Sequence, residues 1–184
     1  MRLLRLFAIL APAILAAAVP TIDQNLTLRS AAGPQISPDG KMVAYEVSKT
    51  NWEENAFETE IWVAHVAAPH DPYQLTSGKK SSSSPRWSPD GHQLGFLSDR
   101  DGKKQIYVIA PMGGEARAIS KAESAVIAFK WMPEGKALVY TAADSESKTL
   151  KDRKEKYGDF EIVKSDYAMT NLWLQPLEDR KSVV

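Results

Sequence analysis

Residues 84–120, SPRWSPDGHQLGFLSDRDGKKQIYVIAPMGGEARAIS, decide how the rest of the chain is read. Within them Trp87-Ser88-Pro89-Asp90-Gly91 separates two apolar runs. Proline fits the second position of a tight turn because its φ is already fixed, and glycine tolerates the bend at the end. Beyond this hairpin turn Leu94 and Phe96 alternate with Gln93 and Gly95, the period of a half-buried strand. Asp99-Arg100-Asp101-Gly102 supplies a second turn, and Gln105-Ile106-Tyr107-Val108-Ile109 is rich in the β-branched and aromatic residues that strands favour. Gly113-Gly114 turns the chain again before a last short strand ending at Ala118-Ile119-Ser120. The stretch predicts one small antiparallel sheet of four strands, too small to bury its own faces.

The same unit recurs. Ile36-Ser37-Pro38-Asp39-Gly40 lies upstream and Trp131-Met132-Pro133-Glu134-Gly135 downstream, with glycine spacings of 51 and 44 residues. Aligning the glycines places Val43, Leu94 and Leu138 at one strand position, and Tyr45, Phe96 and Tyr140 two residues later on the same face. The following strand repeats as Glu60-Ile61-Trp62-Val63, Gln105-Ile106-Tyr107-Val108 and Asn171-Leu172-Trp173-Leu174. The last strand repeats as Tyr73-Gln74-Leu75-Thr76 and Arg117-Ala118-Ile119-Ser120. A repeat of this length built on a four-stranded unit is that of a propeller blade. The expected fold is all-β: an incomplete β-propeller over residues 36–184, with blades at about 36–78, 85–122 and 128–184. The offset from Ile61 to Leu75 and from Ile106 to Ile119 puts the matching residue of the third blade just past Val184. The expectation is a fragment whose last blade continues beyond it.

Around this repeat the chain is ordinary globular material. Its 184 residues are 43% hydrophobic and 25% charged, with 23 basic and 23 acidic side chains. No basic run predicts a nucleic-acid partner. The absence of cysteine excludes disulfides, thiolate metal sites, a cysteine nucleophile and a lipidated cysteine after a leader. Residues 1–18 read as a secretory signal peptide: Arg2 and Arg5, an apolar Leu6–Leu15, then Ala16-Ala17-Ala18. Pro12 interrupts an apolar run already short of the roughly 20 residues of a spanning helix. Cleavage after Ala18 leaves 21 basic against 23 acidic residues and an exported protein with no membrane anchor. Residues 19–35 are a lead-in whose alternation is too weak to assign; Asn25-Leu26-Thr27 matches a glycosylation triplet of a kind common by chance.

Several groups invite a chemical reading. Glu53-Glu54, beside Trp52 in an enlarged link over 50–57, would hold the ammonium group of a peptide if partly dry, or face water as adjacent acids usually do. His65, His70 and His92 lack metal-type spacing. Asp99–Gly102 lacks the remaining ligands of a calcium loop, and Gly113-Gly114 opens no helix that would cradle phosphate. Ser81–Ser84 is a short polar link between blades. The interruption from Ala143 to Thr170 contains a charged segment, 148–157, that predicts a helical turn or two ending at Gly158. Inserts in such repeats often map to a binding face, which makes it a candidate gate, or equally an exposed charged loop. No catalytic, cofactor-binding or metal residue is assigned.

The Ser-Pro-Asp-Gly turns at 37–40 and 88–91, Phe96–Gly102 and Gln105–Val108 resemble the repeats of two exported groups. These are the TolB-like propellers and the N-terminal propeller of the prolyl oligopeptidase family of serine peptidases. Repeats that start soon after the leader, and Lys154–Asp159 followed by Met169–Trp173, are similar to the acylaminoacyl-peptidase and dipeptidyl-aminopeptidase branch. The resemblance implies a propeller that caps a C-terminal α/β-hydrolase domain and admits only short peptides to a catalytic serine. No Gly-x-Ser-x-Gly elbow occurs in this sequence, so no catalytic residue carries over. Glu53 and Glu54 sit in surroundings that do not match the paired glutamates of the dipeptidyl-peptidase branch. The alternative function is a TolB-like propeller that docks a protein.

Overall fold

Ser88 shows how the repeated turn closes. Its hydroxyl accepts from the Gln93 amide at 2.9 Å and donates to Asp90 Oδ1 at 2.5 Å, while the same carboxylate oxygen accepts from the His92 amide at 3.0 Å. Ser37 repeats these bonds with Met42, Asp39 and the Lys41 amide. Each serine is buried, so its hydroxyl satisfies backbone that water does not reach. In the third copy Met132 and Glu134 cannot make these bonds, and backbone alone closes the turn, Met132 N to Ala137 O at 2.9 Å and Gly135 N to Met132 O at 2.9 Å. The turn glycines all have positive φ, 73°, 72° and 69°, where a side chain would be strained.

The computed structural model describes residues 19–67, 71–145, 147–158 and 169–177. The expected leader, His70 and the last residues of the chain lie outside them. Three antiparallel sheets are present. The first contains β1 (Ser30–Ile36), β2 (Met42–Asn51), β3 (Ala56–His65) and β4 (Tyr73–Gln74), in that spatial order. The second contains β5 (Ser82–Trp87), β6 (Leu94–Ser98), β7 (Gln105–Ile109) and β8 (Arg117–Ala118). The third pairs β9 (Val126–Trp131), β10 (Ala137–Ala143) and β11 (Thr170–Pro176), three strands among the described residues. The fold is all-β, and the architecture is a partial propeller. A five-residue helix, α1 (Ile22–Leu26), with a Thr21–Gln24 capping box, precedes it.

The first strand of each of the first two sheets carries an irregularity that obscures its alternation. In β1 the register shifts between Ala32 and Gln35, around Gly33 (φ 60°) and Pro34; in β5 it shifts between Ser83 and Arg86, around Ser84 (φ 57°) and Pro85. Proline is admissible because this strand has a neighbour on one side only. The bulge explains why β1 forms inside a segment whose alternation reads as too weak.

The link over 50–57 differs from the expected enlarged loop. Thr50, Asn51, Ala56 and Phe57 are strand residues, paired Thr50↔Phe57 and Asn51↔Ala56, so β2 and β3 form a long hairpin with only residues 52–55 in its turn. Asn51 Oδ1 accepts from the amides of Glu53 at 3.0 Å and Glu54 at 3.1 Å, and Asn55 takes the left-handed conformation (φ 47°) that asparagine tolerates.

Two cores lie between the sheets. Ala44, Ile61, Val63 and Leu75 of the first sheet meet Leu94, Phe96, Tyr107 and Ile109 of the second. Leu97 and Ile106, on the opposite face of the second, meet Val126, Phe129, Leu138, Tyr140 and Ala142 of the third. Each fully buried Leu, Ile or Phe contributes about 1.5–3 kcal/mol. Two further contacts repeat between neighbours. Trp87 donates its indole N–H to the Gln35 carbonyl at 2.8 Å, and Trp131 donates to the Arg86 carbonyl at 2.9 Å. The turn glycines also sit beside the preceding turn's proline: a Cβ on Gly91 would lie 3.6 Å from Pro38, and one on Gly135 3.6 Å from Pro89.

Candidate functional site

Those proline–glycine contacts place the three repeated turns side by side at one rim. In an antiparallel sheet the link between the second and third strands leaves from the opposite end. There the three units differ: the tip of the long hairpin at 52–55, the turn at 99–104, and the segment between β10 and β11 that contains α2 (Lys148–Tyr157). The repeated rim is built from matched packing; the other rim presents three different surfaces and is the candidate site.

On the first unit Trp52 and Phe57 are exposed, and Glu53 and Glu54 stand at the exposed tip. Lys49 pairs with Glu58 at 3.3 Å, and Asn51 Nδ2 also donates to the Glu58 carboxylate. These two partners, Asn51 first, hold the Glu58 carboxyl below its ordinary value. Thr50 donates to the Leu26 carbonyl, tying the end of α1 to the hairpin.

Between the first and second units lies a polar group that no motif announces. The Arg100 guanidinium rests over the rings of Tyr107 (4.8 Å) and Phe96 (5.3 Å) and donates to Ser82 and Ser98, each at 3.3 Å. Tyr107 donates to Asp101 at 2.6 Å; burial, with that carboxylate beside it, pushes its phenol up to about 12. Glu60 is buried and accepts from the Thr76 hydroxyl at 2.5 Å, whose oxygen accepts from the Ile61 amide at 2.9 Å. Burial raises the Glu60 carboxyl, while its hydrogen bonds and the Arg100 charge pull the other way. The second unit repeats the arrangement without ionisation: Gln105 Oε1 accepts from the Ser120 hydroxyl at 2.7 Å and the Ala122 amide at 2.9 Å. The usable sequence signal is this shared position, Glu60, Gln105 and Asn171, where one of three repeats carries a carboxylate.

On the third unit α2 starts at Ser147, whose side chain accepts from the Leu150 amide at 3.2 Å, and ends at Gly158 (φ 86°). No α2 residue is buried. This is the charged helical segment that the sequence predicts. A groove of about 230 Å³ runs between the 121–124 link and the start of the insert, lined by Tyr140, Trp173, Asp144, Glu123 and Lys121. Asn171 Nδ2 donates to Asp144 at its edge.

No group among the described residues is arranged for acyl transfer. Ser88, Asp90 and His92 share one turn, with His92 Nδ1 3.5 Å from Asp90 Oδ2, but the carboxylate stands between serine and imidazole, where a triad needs the imidazole. The first turn has the same geometry with Lys41 in place of His92, so the trio is turn structure. His65 lies at the end of β3, paired with Met42 next to the repeated turn. Among the described residues no group of three or more His, Asp or Glu is arranged to hold a metal. Nor is any described helix long and apolar enough to cross a membrane.

Comparison with known proteins agrees with this geometry. The chain is 35% identical over 136 residues to an uncharacterized peptidase, YuxL, of Bacillus subtilis, a match covering 73% of this chain and 20% of that protein. It is 30% identical over 133 residues to dipeptidyl-peptidase 5 of Porphyromonas endodontalis, covering 72% of this chain and 19% of that one. The chain thus spans about a fifth of the length of these relatives. The structure superposes on Pyrococcus horikoshii acylaminoacyl peptidase with a TM-score of 0.61 over 83% of this chain and 24% of that one; at 19% identity this shows the shared fold. The TolB β-propeller domain model matches residues 22–171. With the repeated turns, the four-stranded units and their face-to-face packing in place, the chain belongs to the TolB β-propeller family.

Proposed function

We propose that this chain is the N-terminal, non-catalytic propeller portion of an exported serine peptidase that cleaves short peptides, and that its variable rim limits which peptides reach the hydrolase. The observation that carries this reading is the confinement of the match: two relatives with peptidase names align over about a fifth of their length, all of it propeller. The catalytic serine, its histidine and the acid would lie in a hydrolase domain, and short peptides would be the substrate.

The test uses the product of the complete gene. A serine-directed fluorophosphonate should label it, and it should hydrolyse short chromogenic peptides. Deleting 148–157 should raise kcat/KM for longer peptides several-fold while leaving a dipeptide substrate unchanged. Unaltered size selection would refute the gate; no labelling at all would refute the peptidase. N-terminal sequencing of exported protein should begin at Val19, and a mature chain retaining Met1 would refute export by this leader. The second reading, a protein-docking propeller, rests on the family model being that of TolB. It requires an unlabelled protein recovered with a stoichiometric partner.

A further inference from the structure

The second and third sheets carry the same cross-strand aromatic pair, and the chain completes it in only one of them. Phe96 stands opposite Tyr107, and Tyr140 opposite Trp173. In the second sheet the pair is stacked, with 5.8 Å between ring centroids, and the Arg100 guanidinium lies over both rings. The Ser98 and Ser82 hydroxyls hold that guanidinium, and these two serines stand opposite each other. Counted from the turn glycines Gly91 and Gly135, the third sheet has Ala142 for Ser98 and Asp144 for Arg100. Val126, opposite Ala142, takes the place of Ser82. The first sheet keeps a cation at the same count, Lys49. In the third alone the cation and both its hydroxyl anchors are replaced, and an acid stands at the cation's position.

At that place the third sheet has the groove of about 230 Å³, bounded by Tyr140, Trp173, Ala142 and Asp144 and by the 121–124 link. Pockets that enclose a whole small ligand run to about 300–1,000 Å³, so this one suits a single side chain. Trp173 is 47% exposed, which leaves its ring open to an incoming group. The charged residues along the groove are Lys121, Glu123 and Asp144, one base against two acids. The Asp144 carboxylate accepts from Asn171 Nδ2, which fixes it at the groove edge. Gln105, which repeats the position of Glu60, adds no charge of its own. Aromatic faces beside a net negative charge attract a cation, and tryptophan is the strongest of the aromatic partners.

We propose that this groove binds the guanidinium group of an arginine side chain carried by a peptide, seated on Tyr140 and Trp173 with Asp144 as its counter-charge. A guanidinium is favoured over an ammonium because it is flat, stacks on rings and presents a fork of N–H donors to a carboxylate. Arg100 already shows that geometry on the equivalent rings of the second sheet. The site binds and does no chemistry, so it stands apart from the peptidase reading and needs no catalytic serine.

The test reads fluorine NMR of the product of the complete gene labelled with fluorotryptophan, the Trp173 signal being assigned by its loss in Trp173→Phe. Acetyl-arginine amide should shift that signal saturably, while acetyl-citrulline amide, its uncharged isostere, should not. Asp144→Asn should weaken binding about ten-fold, because a charge-assisted contact is lost. Lys121→Gln should tighten it a few-fold by removing a like charge, a direction that damage to the fold does not produce. Asp144→Arg copies Arg100 and should abolish binding without lowering Tm. No shift with the arginine compound, an equal shift with the citrulline compound, or binding that survives Asp144→Arg overturns the proposal. Tighter binding of free arginine than of the blocked compound overturns the peptide source in favour of a free amino acid. Binding that appears only after deletion of 148–157 overturns it in favour of an arginine of the insert. Arginine-specific binding by a protein that a fluorophosphonate fails to label still supports this site, although it refutes the peptidase.

Discussion

Gly95→Ala isolates the packing between the second and third blades in one methyl group. A Cβ at Gly95 would stand 2.9 Å from Phe129 Cε2, 3.2 Å from Cζ and 3.3 Å from Trp131 Nε1. Phe129 is 5% exposed and cannot swing into solvent, and the Trp131 nitrogen already donates to the Arg86 carbonyl. Overpacking a site of this kind costs about 1–3 kcal/mol. Alanine recovers about 0.4–1 kcal/mol by restricting the unfolded chain, since Gly95 needs no left-handed backbone. The net expectation is a loss of about 1–2 kcal/mol. With a urea slope of roughly 2 kcal/mol per molar, the midpoint falls by about 0.5–1 M. Phe129→Leu costs stability by itself, yet added to Gly95→Ala it should restore part of the loss, the non-additivity expected of residues that touch. A Gly95→Ala midpoint equal to or above that of the parent would refute this account, because alanine would then be acting as it does on an open strand.

Three other perturbations test the remaining structure. Burial raises the folded-state Glu60 carboxyl above its ordinary value, so this group favours folding below that value and loses the advantage as pH climbs through the raised one. Glu60→Gln, which copies Gln105, should therefore raise Tm at pH 7 and leave it nearly unchanged at pH 4; equal effects at both pH values would show that ionisation is irrelevant. Trp131→Phe removes the donor to the Arg86 carbonyl and should cost about 1–2 kcal/mol in urea unfolding, with Trp87→Phe close to it because the contact is repeated; an unchanged midpoint would discount the bond. The Ser88 hydroxyl is the first cause holding the Asp90 carboxyl low, so Ser88→Ala should move the Asp90 NMR titration upward toward the ordinary aspartate range, and an unmoved titration would reject the assignment.

What the sequence shows of the fold is what local chemistry decides. Proline and glycine at set places in 37–40 and 88–91 announce the turns without reference to tertiary structure, whereas β6, whose alternation reads as half-buried, is buried at all five residues because both its faces meet neighbouring sheets. The charged helix is legible for the same reason: α2 ends at a glycine with positive φ. Where tertiary context decides, the pattern is silent. Strand β1 is interrupted at Gly33-Pro34 and exposed along most of its length, so no alternation survives. The hairpin extension at 50–57 depends on cross-strand pairing and on the Asn51 side chain, which polar composition does not separate from a loop. The Glu60–Arg100 arrangement joins residues of different blades and leaves no spacing to read.

The two rims accordingly carry different burdens. At the rim of repeated turns the second and third blades each set a glycine against the proline of the blade before and donate an indole N–H to its backbone, so a change in one unit must be matched by its neighbour. At the other rim the links owe little to one another: a four-residue turn at 52–55, a short turn at 99–104 and an insert with a ten-residue helix all leave the sheets beneath them intact. Variation there costs the fold little, which is the physical condition for that rim to acquire a specific recognition role. A substitution at Pro38 or Trp87 should therefore be felt as stability, whereas removal of 148–157 should be felt as substrate selection with the unfolding midpoint little changed. If deleting 148–157 instead lowered the midpoint as far as Trp131→Phe, the insert would be part of the scaffold and the division between the rims would fail.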